Sequence, residues 1–247
     1  MDPKNIRLIL AYDGTRYHGW QRQKNAHTIQ EILEDRLRMM TGGPVTLLAS
    51  GRTDAGVHAL NQVCNFTTLS ALPPESIRKG LNSLLPVDIL VKEAQYVPAS
   101  FHSRYSAKSK IYEYRILNRA LPDIFQRDFQ WHIRHPLDTE SMAASISVLR
   151  GTRDFSSFCS AGSGTTNPVR TVLSAEITGP EQGLLRITIE ADGFLRHMVR
   201  NIVGTAVEAG LGKISPERFQ EIVRLRDRRR AGVKAPARGL FLVSVKY

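Results

Sequence analysis

The chain has only two cysteines, Cys64 and Cys159, in 247 residues. They stand too far apart and too few to suggest a disulfide framework or a four-cysteine zinc site, and both read as reduced thiols. No apolar run approaches the roughly 18 residues that a membrane span needs. The start, Met1-Asp2-Pro3-Lys4-Asn5, leads straight into an apolar run without the charged and apolar regions of a secretory signal, so a cytoplasmic protein is expected. The seven histidines form no H-E-x-x-H, and no G-x-x-x-x-G-K-[ST] loop is present. Metal hydrolysis on that pattern and nucleotide triphosphate use therefore lack their sequence signatures.

Negative charge is also in short supply. Lys and Arg total 34 against 23 Asp and Glu, a formal net charge of +11. Such a balance fits a polyanionic partner, although a ribosomal or membrane-surface protein could carry it too. The densest basic run is Arg224, Arg226, Arg228, Arg229 and Arg230, followed by Lys234 and Arg238. It reads as a phosphate-contacting segment or as a solvated helix end.

Hydrophobic periodicity gives the elements. Residues 6–12 read as a strand. Thr28-Ile29-Gln30-Glu31 is a capping box, with Thr28 as N-cap and Glu31 reaching back. Ile29, Ile32, Leu33, Leu37 and Met40 then recur at helical spacing until Gly42-Gly43. Pro73-Pro74-Glu75 opens a second helix through about Leu84, and Ile89 to Tyr96 reads as a strand. Between Ser106 and Asn118 residues alternate, with Tyr112, Tyr114 and Ile116 on one face and Glu113 and Arg115 on the other. A helix is expected from Asp138 or Thr139 to Gly151. Strands near Arg170–Thr178 and Leu184–Ala191, helices from about Arg196 to Ala209 and Pro216 to Arg226, and a last strand from Phe241 complete the chain. This order predicts an α+β fold with helices against antiparallel sheet. Residues 9–18 and 188–197 echo each other, each closing a strand with Asp-Gly and placing a His four residues beyond the Gly. Around Gly162–Thr166 local flexibility is expected.

The stretch Gly51-Arg52-Thr53-Asp54-Ala55-Gly56-Val57-His58 concentrates the chemistry. One carboxylate lies between two glycines that let the backbone turn, two residues after a guanidinium. Apolar runs flank it, Val45 to Ala49 and Val63 to Phe66, so it reads as a loop joining two strands, the usual place for functional residues. Taken alone, Asp54 reads better as a residue that caps a turn or a helix.

This octapeptide resembles the active-site loop of the TruA-type tRNA pseudouridine synthases. Further resemblances run in the same order along the chain: Tyr12-Asp13-Gly14-Thr15-Arg16-Tyr17-His18-Gly19-Trp20-Gln21-Arg22-Gln23, Lys110-Ile111-Tyr112-Glu113-Tyr114, Asp154-Phe155-Ser156-Ser157-Phe158, Phe194-Leu195-Arg196-His197-Met198-Val199-Arg200-Asn201 and Ala235-Pro236-Ala237-Arg238-Gly239-Leu240. The resemblance implies two similar ferredoxin-like halves with their antiparallel sheets joined, helices on one face and an active-site cleft between them. The expected halves are 1–104, carrying the Asp loop, and 105–247, carrying Tyr112, Arg200 and Leu240.

It further implies isomerisation of uridine to pseudouridine in the anticodon stem-loop of tRNA, at positions 38, 39 and 40, by a homodimer. No metal or redox cofactor is demanded by that reaction. Asp54 takes the role of nucleophile. Arg200 becomes its cationic partner, since an opposite charge nearby favours a carboxylate's ionised form. Tyr112 stacks on the flipped uracil and helps with its C5 proton. Leu240 lines the apolar wall. Arg52 assists flipping and holds the RNA backbone, and Phe101, His102 and Arg104, extended by Lys108 and Lys110, form a second RNA-contacting strip. Asp13 reads as turn chemistry. The segment 159–169 carries no basic residue where the family often contacts RNA, which leaves backbone amides and hydroxyls for that task. Two other readings stand beside this one: a non-catalytic basic protein that binds or folds RNA, and a glycosidic-bond hydrolase. The latter usually pairs two carboxylates, and no second one accompanies Asp54 in the motif.

Overall fold

The computed structural model describes residues 2–162 and 166–247. Part of the segment expected to be flexible, residues 163–165, lies outside the described residues. The fold is mixed α+β, with five α-helices among the described residues. It divides into two compact units, 1–108 with 242–247, and 109–241.

In the first unit, β1 (Lys4–Tyr12), α1 (Ile29–Thr41), β2 (Leu48–Ala49), β3 (His58–Thr68), α2 (Pro74–Leu84) and β4 (Ile89–Val97) follow one another. The strands pair antiparallel in the order β4-β1-β3, with the stub β2 on β3. Alternation along β1 buries Ile6, Leu8, Leu10 and Tyr12, and the core is completed by Ile29, Leu33 and Leu37 of α1 and Ile77 and Leu81 of α2. Each such side chain contributes about 1.5–3 kcal/mol by leaving water. Thr28 caps α1 through its hydroxyl, which accepts from the Glu31 amide, and Gly42 ends it in a left-handed turn. The Glu31 carboxylate itself lies 3.9 Å from Arg22. The β1–β3 register slips once: Leu10 faces Gln62, but Tyr12 faces Ala59. One extra residue of β3 is accommodated there, a bulge of the kind that re-aims side chains beside a functional loop.

The second unit runs β5 (Ser109–Asn118), β6 (Trp131–Ile133), α3 (Thr139–Ser147), β7 (Gly151–Asp154), β8 (Val169–Glu181), β9 (Leu184–Ala191), α4 (Met198–Gly210) and α5 (Pro216–Leu225). Its strands pair in the order β5-β9-β8-β7, with β6 parallel to β5. As the alternation requires, Tyr112, Tyr114 and Ile116 are buried, while Glu113 and Arg115 stay half-exposed and pair with each other at 2.7 Å. Helix α4 is apolar on nearly every face and is buried accordingly. The last strand, β10 (Leu240–Lys246), starts in the second unit and continues into the first, where it lies beside β3.

Two helix boundaries differ from expectation by two residues or more. Helix α3 ends at Ser147, not Gly151. Its end tightens through Leu149 N–H to Ile146 O and Arg150 N–H to Ser147 O, and Gly151 then turns with φ 100° into β7. Helix α4 begins at Met198, not Arg196, because His197 takes a left-handed conformation, φ 61°, that a helix cannot include. The short strands β2, β6 and β7 have too few residues to show a period.

Candidate active site

In the first unit the octapeptide loop lies between β2 and β3, and the early motif is the platform beneath it. Gly19 has φ 85°, and a Cβ there would stand 2.5 Å from the Thr53 carbonyl oxygen and 3.0 Å from the Asp54 carbonyl carbon. Only glycine permits that approach. A Cβ on Gly14 would overlap the Val57 carbonyl. Trp20 N–H donates to Thr53 O at 3.0 Å, Gly56 N–H donates to Tyr17 O at 3.2 Å, and Val57 N–H closes the turn onto Asp54 O at 3.1 Å. Gly56 itself has φ 75°. The middle of the loop and its far end are therefore held by backbone from residues 14–20.

Side chains tie the loop from the other side. The Tyr12 hydroxyl shares a 2.8 Å hydrogen bond with Thr53 Oγ1. Buried Gln62 donates to Gly51 O at 2.9 Å and accepts from Ser50 Oγ at 2.7 Å. Buried His58 receives the Gly14 amide on Nδ1 at 3.0 Å, with the Asp13 carboxylate 3.1 Å from the same nitrogen. Asp13 also accepts from the Thr15 amide at 2.9 Å, the turn chemistry its Asp-Gly context predicts. Thr53 is buried, Arg52 exposed and Asp54 half-buried, so Arg52 and Asp54 sit on the open side of an anchored strip.

The second predicted RNA-contacting segment also belongs to this unit. His102 and Tyr105 rings lie 4.3 Å apart, and the Arg104 guanidinium sits over Tyr105 at 5.6 Å. Arg104 and Tyr105 are exposed, a cation beside an open aromatic face. Phe101 is half-exposed, its ring 5.0 Å from that of Tyr247.

In the second unit the segment 231–239 is held by Arg200 and Tyr114 and leads into Leu240, while Tyr112 packs against Phe194. Arg200, on the first turn of α4, is 9% exposed and donates through Nε to Ala235 O at 2.8 Å, while Ala235 N–H returns a bond to Arg200 O at 3.1 Å. Such burial is what a guanidinium among Met198, Val199, Ile202 and Val203 should show, held by hydrogen bonds. Gly204, one turn on, touches the Val233 backbone so closely that no Cβ fits. Tyr114 donates to Pro236 O at 2.8 Å, and a Cβ on Gly239 would be 2.7 Å from the Tyr114 ring. Leu240 follows at once, buried. Tyr112 is buried to 7% exposure, with Phe194 edge-on at 4.9 Å. Lys110, two residues before Tyr112 on β5, is half-exposed.

The basic run divides. Arg228 is half-buried and donates to Asn201 Oδ1 at 3.0 Å; Arg229 grips Asp227 at 2.9 Å; Arg226 lies 3.4 Å from Asp154. Arg224, Arg230 and Lys234 are exposed. Part of the run thus builds structure and part is open to a polyanion.

Sequence reasoning missed the supports. Gln62, Thr53 and Tyr12 carry no motif of their own chemistry, and Phe194 lay inside a motif read for Arg200. The close backbone approaches at Gly14, Gly19 and Gly204 were not read from the sequence either.

A family model described as tRNA pseudouridine synthase matches residues 8–106 and 146–247. A protein of Thermoanaerobacter sp. (strain X514) named tRNA pseudouridine synthase A is 48% identical, covering 99% of this chain and 100% of that one. Proteins of the same name from Acetivibrio thermocellus and Moorella thermoacetica are 47% and 46% identical over 99% and 98% of this chain, and 100% and 99% of theirs. A chain from a solved Cbf5-Nop10-Gar1 complex aligns at 13% identity with a TM-score of 0.30, covering 81% of this chain and 54% of that one, too low to inform the fold. With both blocks of the family match lying on the elements that carry the anchored Asp loop, Tyr112's neighbour Phe194, Arg200 and Leu240, the chain belongs to the tRNA pseudouridine synthase family.

Proposed function

We propose that this isomerase converts uridine to pseudouridine in the anticodon stem-loop of tRNA, at positions 38, 39 and 40, with Asp54 as nucleophile. The carrying observation is the Asp54 loop. Tyr12, Gly14, Tyr17, Gly19 and Trp20 of the early motif and Gln62 of β3 hold it, and leave Arg52 and Asp54 on its open side. In the reaction the C1′–N1 bond breaks and a C1′–C5 bond forms. The C5 proton leaves and N1 gains one, so the atoms balance with no added reactant. A covalent bond to Asp54 divides that exchange into two easier steps while the uracil turns. Arg200 takes the role of the site's cation. Tyr112 offers its ring to the flipped base and assists at C5, and Leu240 gives an apolar wall. Arg52, His102, Arg104 and Lys110 contact the RNA backbone, a readout by shape that suits several target positions on one stem.

The finer architecture is read as two ferredoxin-like halves. In support, the first unit has the βαββαβ order, with β4-β1-β3 paired in sequence and β2 on β3. The chain is read as cytoplasmic; no helix among the described residues is long and apolar enough to cross a membrane. It is also read as a homodimer. Leu121, Ile124 and Phe125 are 75%, 62% and 84% exposed on one loop. Arg119 and Arg127 there pair with Asp123 and Asp128. With its charges balanced, this apolar tip adds no repulsion of its own between two copies of a chain with charge +11. Sedimentation of Phe125→Ser should shift toward monomer, and an unchanged profile removes this surface from the interface.

The test of the reaction is tritium release from tRNA labelled at uridine C5. Wild type should release it and leave pseudouridine in the anticodon arm. Asp54→Asn should release none while binding tRNA within a few fold. Turnover by Asp54→Asn at the wild-type rate would overturn the mechanism. Free uracil in the wild-type mixture would favour hydrolysis instead.

A further inference from the structure

The geometry points to Gln62 as a positioning residue for the reaction, one that sets the height and tilt of the Asp54 loop through its amide. The inference rests on the reading of Asp54 as nucleophile. Gln62 lies on β3, fully buried, at the last regular pair before the β1–β3 register slips. Its amide uses both ends. Oε1 accepts from Ser50 Oγ at 2.7 Å and from Val63 N–H at 3.2 Å. Nε2 donates to Gly51 O at 2.9 Å and to the Tyr12 oxygen at 3.4 Å. With its oxygen accepting from Gln62, the Tyr12 hydroxyl is free to send its own proton to Thr53 Oγ1, 2.8 Å away. One side chain thereby reaches Ser50 and Gly51 directly and Thr53 through a single relay.

The three residues so held are those that bracket Arg52 and precede Asp54. Their amide and hydroxyl partners are buried, where each broken hydrogen bond leaves an unsatisfied group rather than a hydrated one. Loss of the amide would therefore let the loop settle elsewhere. A carboxylate misplaced by about 1 Å can lose about 100-fold in rate while the rest of the substrate still binds. Because the tRNA footprint is spread over other residues, the loss belongs to kcat and not to affinity.

The experiment compares wild type, Gln62→Met, Gln62→Glu and Asp54→Asn for kcat, KM, tRNA affinity and thermal melting. Gln62→Met keeps the length of the side chain and removes every bond. Its kcat should fall about 10- to 100-fold, with KM and tRNA affinity within about two-fold. Gln62→Glu keeps the shape but donates to Gly51 O only while protonated. Its rate relative to wild type should rise as pH falls from about 8.5 to 6, because burial favours the neutral carboxyl. If Gln62→Met fails to fold, the Gln62→Glu profile decides alone. Wild-type kcat and a wild-type pH profile in Gln62→Glu would overturn the inference, as would a Gln62→Met loss confined to KM. An inactive Asp54→Asn beside fully active Gln62 variants sinks this inference alone; an active Asp54→Asn sinks the nucleophile reading with it.

Discussion

Buried tyrosines set the residue-scale behaviour. Burial pushes the Tyr12 phenol up to about 12, against the pull of its bonds to Thr53 and Gln62. Burial also raises Tyr17, Tyr114 and Tyr247, and for Tyr17 the Asp88 carboxylate that accepts its hydrogen bond adds to the rise. An exposed phenol titrates near 10. The folded value lies above the unfolded one, so the contribution is fully present below pH 10 and is lost as pH rises from 10 through 12. Urea unfolding at pH 9, 10, 11 and 12 should show stability falling above pH 10, with Tyr12 alone supplying up to about 1.4 kcal/mol per pH unit. Tyr12→Phe should flatten that slope, and an unchanged slope would mean that the phenol ionises freely. At this scale the sequence was most legible where apolar neighbours demand burial, as with Arg200. Gln62 was not legible, since an amide's partners depend on which strands the chain brings together.

Elements were read well where they are long and capped. Thr28 and Gly42 bracket α1 as their types require, and Asp138 and Ser215 cap α3 and α5 through side-chain oxygens. The misses lie where one backbone angle overrides the period, at His197 and Gly151, or where a strand has four residues or fewer. Helix α4 shows what a helix interior can hide. Gly204 normally costs a helix about 1 kcal/mol relative to Ala. Here it admits the Val233 carbonyl, and with it the segment whose Ala235 carbonyl receives Arg200. Gly204→Ala should therefore destabilise by about 1–3 kcal/mol in urea unfolding, opposite in sign to the same change on an open helix face. A stabilised variant would show that the segment moves aside without cost.

Charge belongs to the molecule as a whole. With +11 on 247 residues and Arg104, Arg224, Arg230 and Lys234 open to solvent, tRNA binding should weaken steeply with salt. The slope should be about 0.7–0.9 log unit of affinity per log unit of salt for each phosphate neutralised. Titrations at several potassium concentrations read it directly, and a flat response would refute a backbone-dominated footprint. Length, class and charge were legible at this scale; the path of the last strand was not, because nothing local marks which unit a terminal strand joins. That path has a consequence for synthesis. Residues 242–247 belong with 1–108: Asn61 donates to Val243 O at 2.7 Å, Lys108 N–H to Lys246 O at 2.8 Å and the Tyr247 hydroxyl to Ser103 O at 2.8 Å. On the ribosome the first unit therefore waits, its β3 edge open, while residues 109–241 are translated, so the half that carries the Asp54 loop is begun first and finished last.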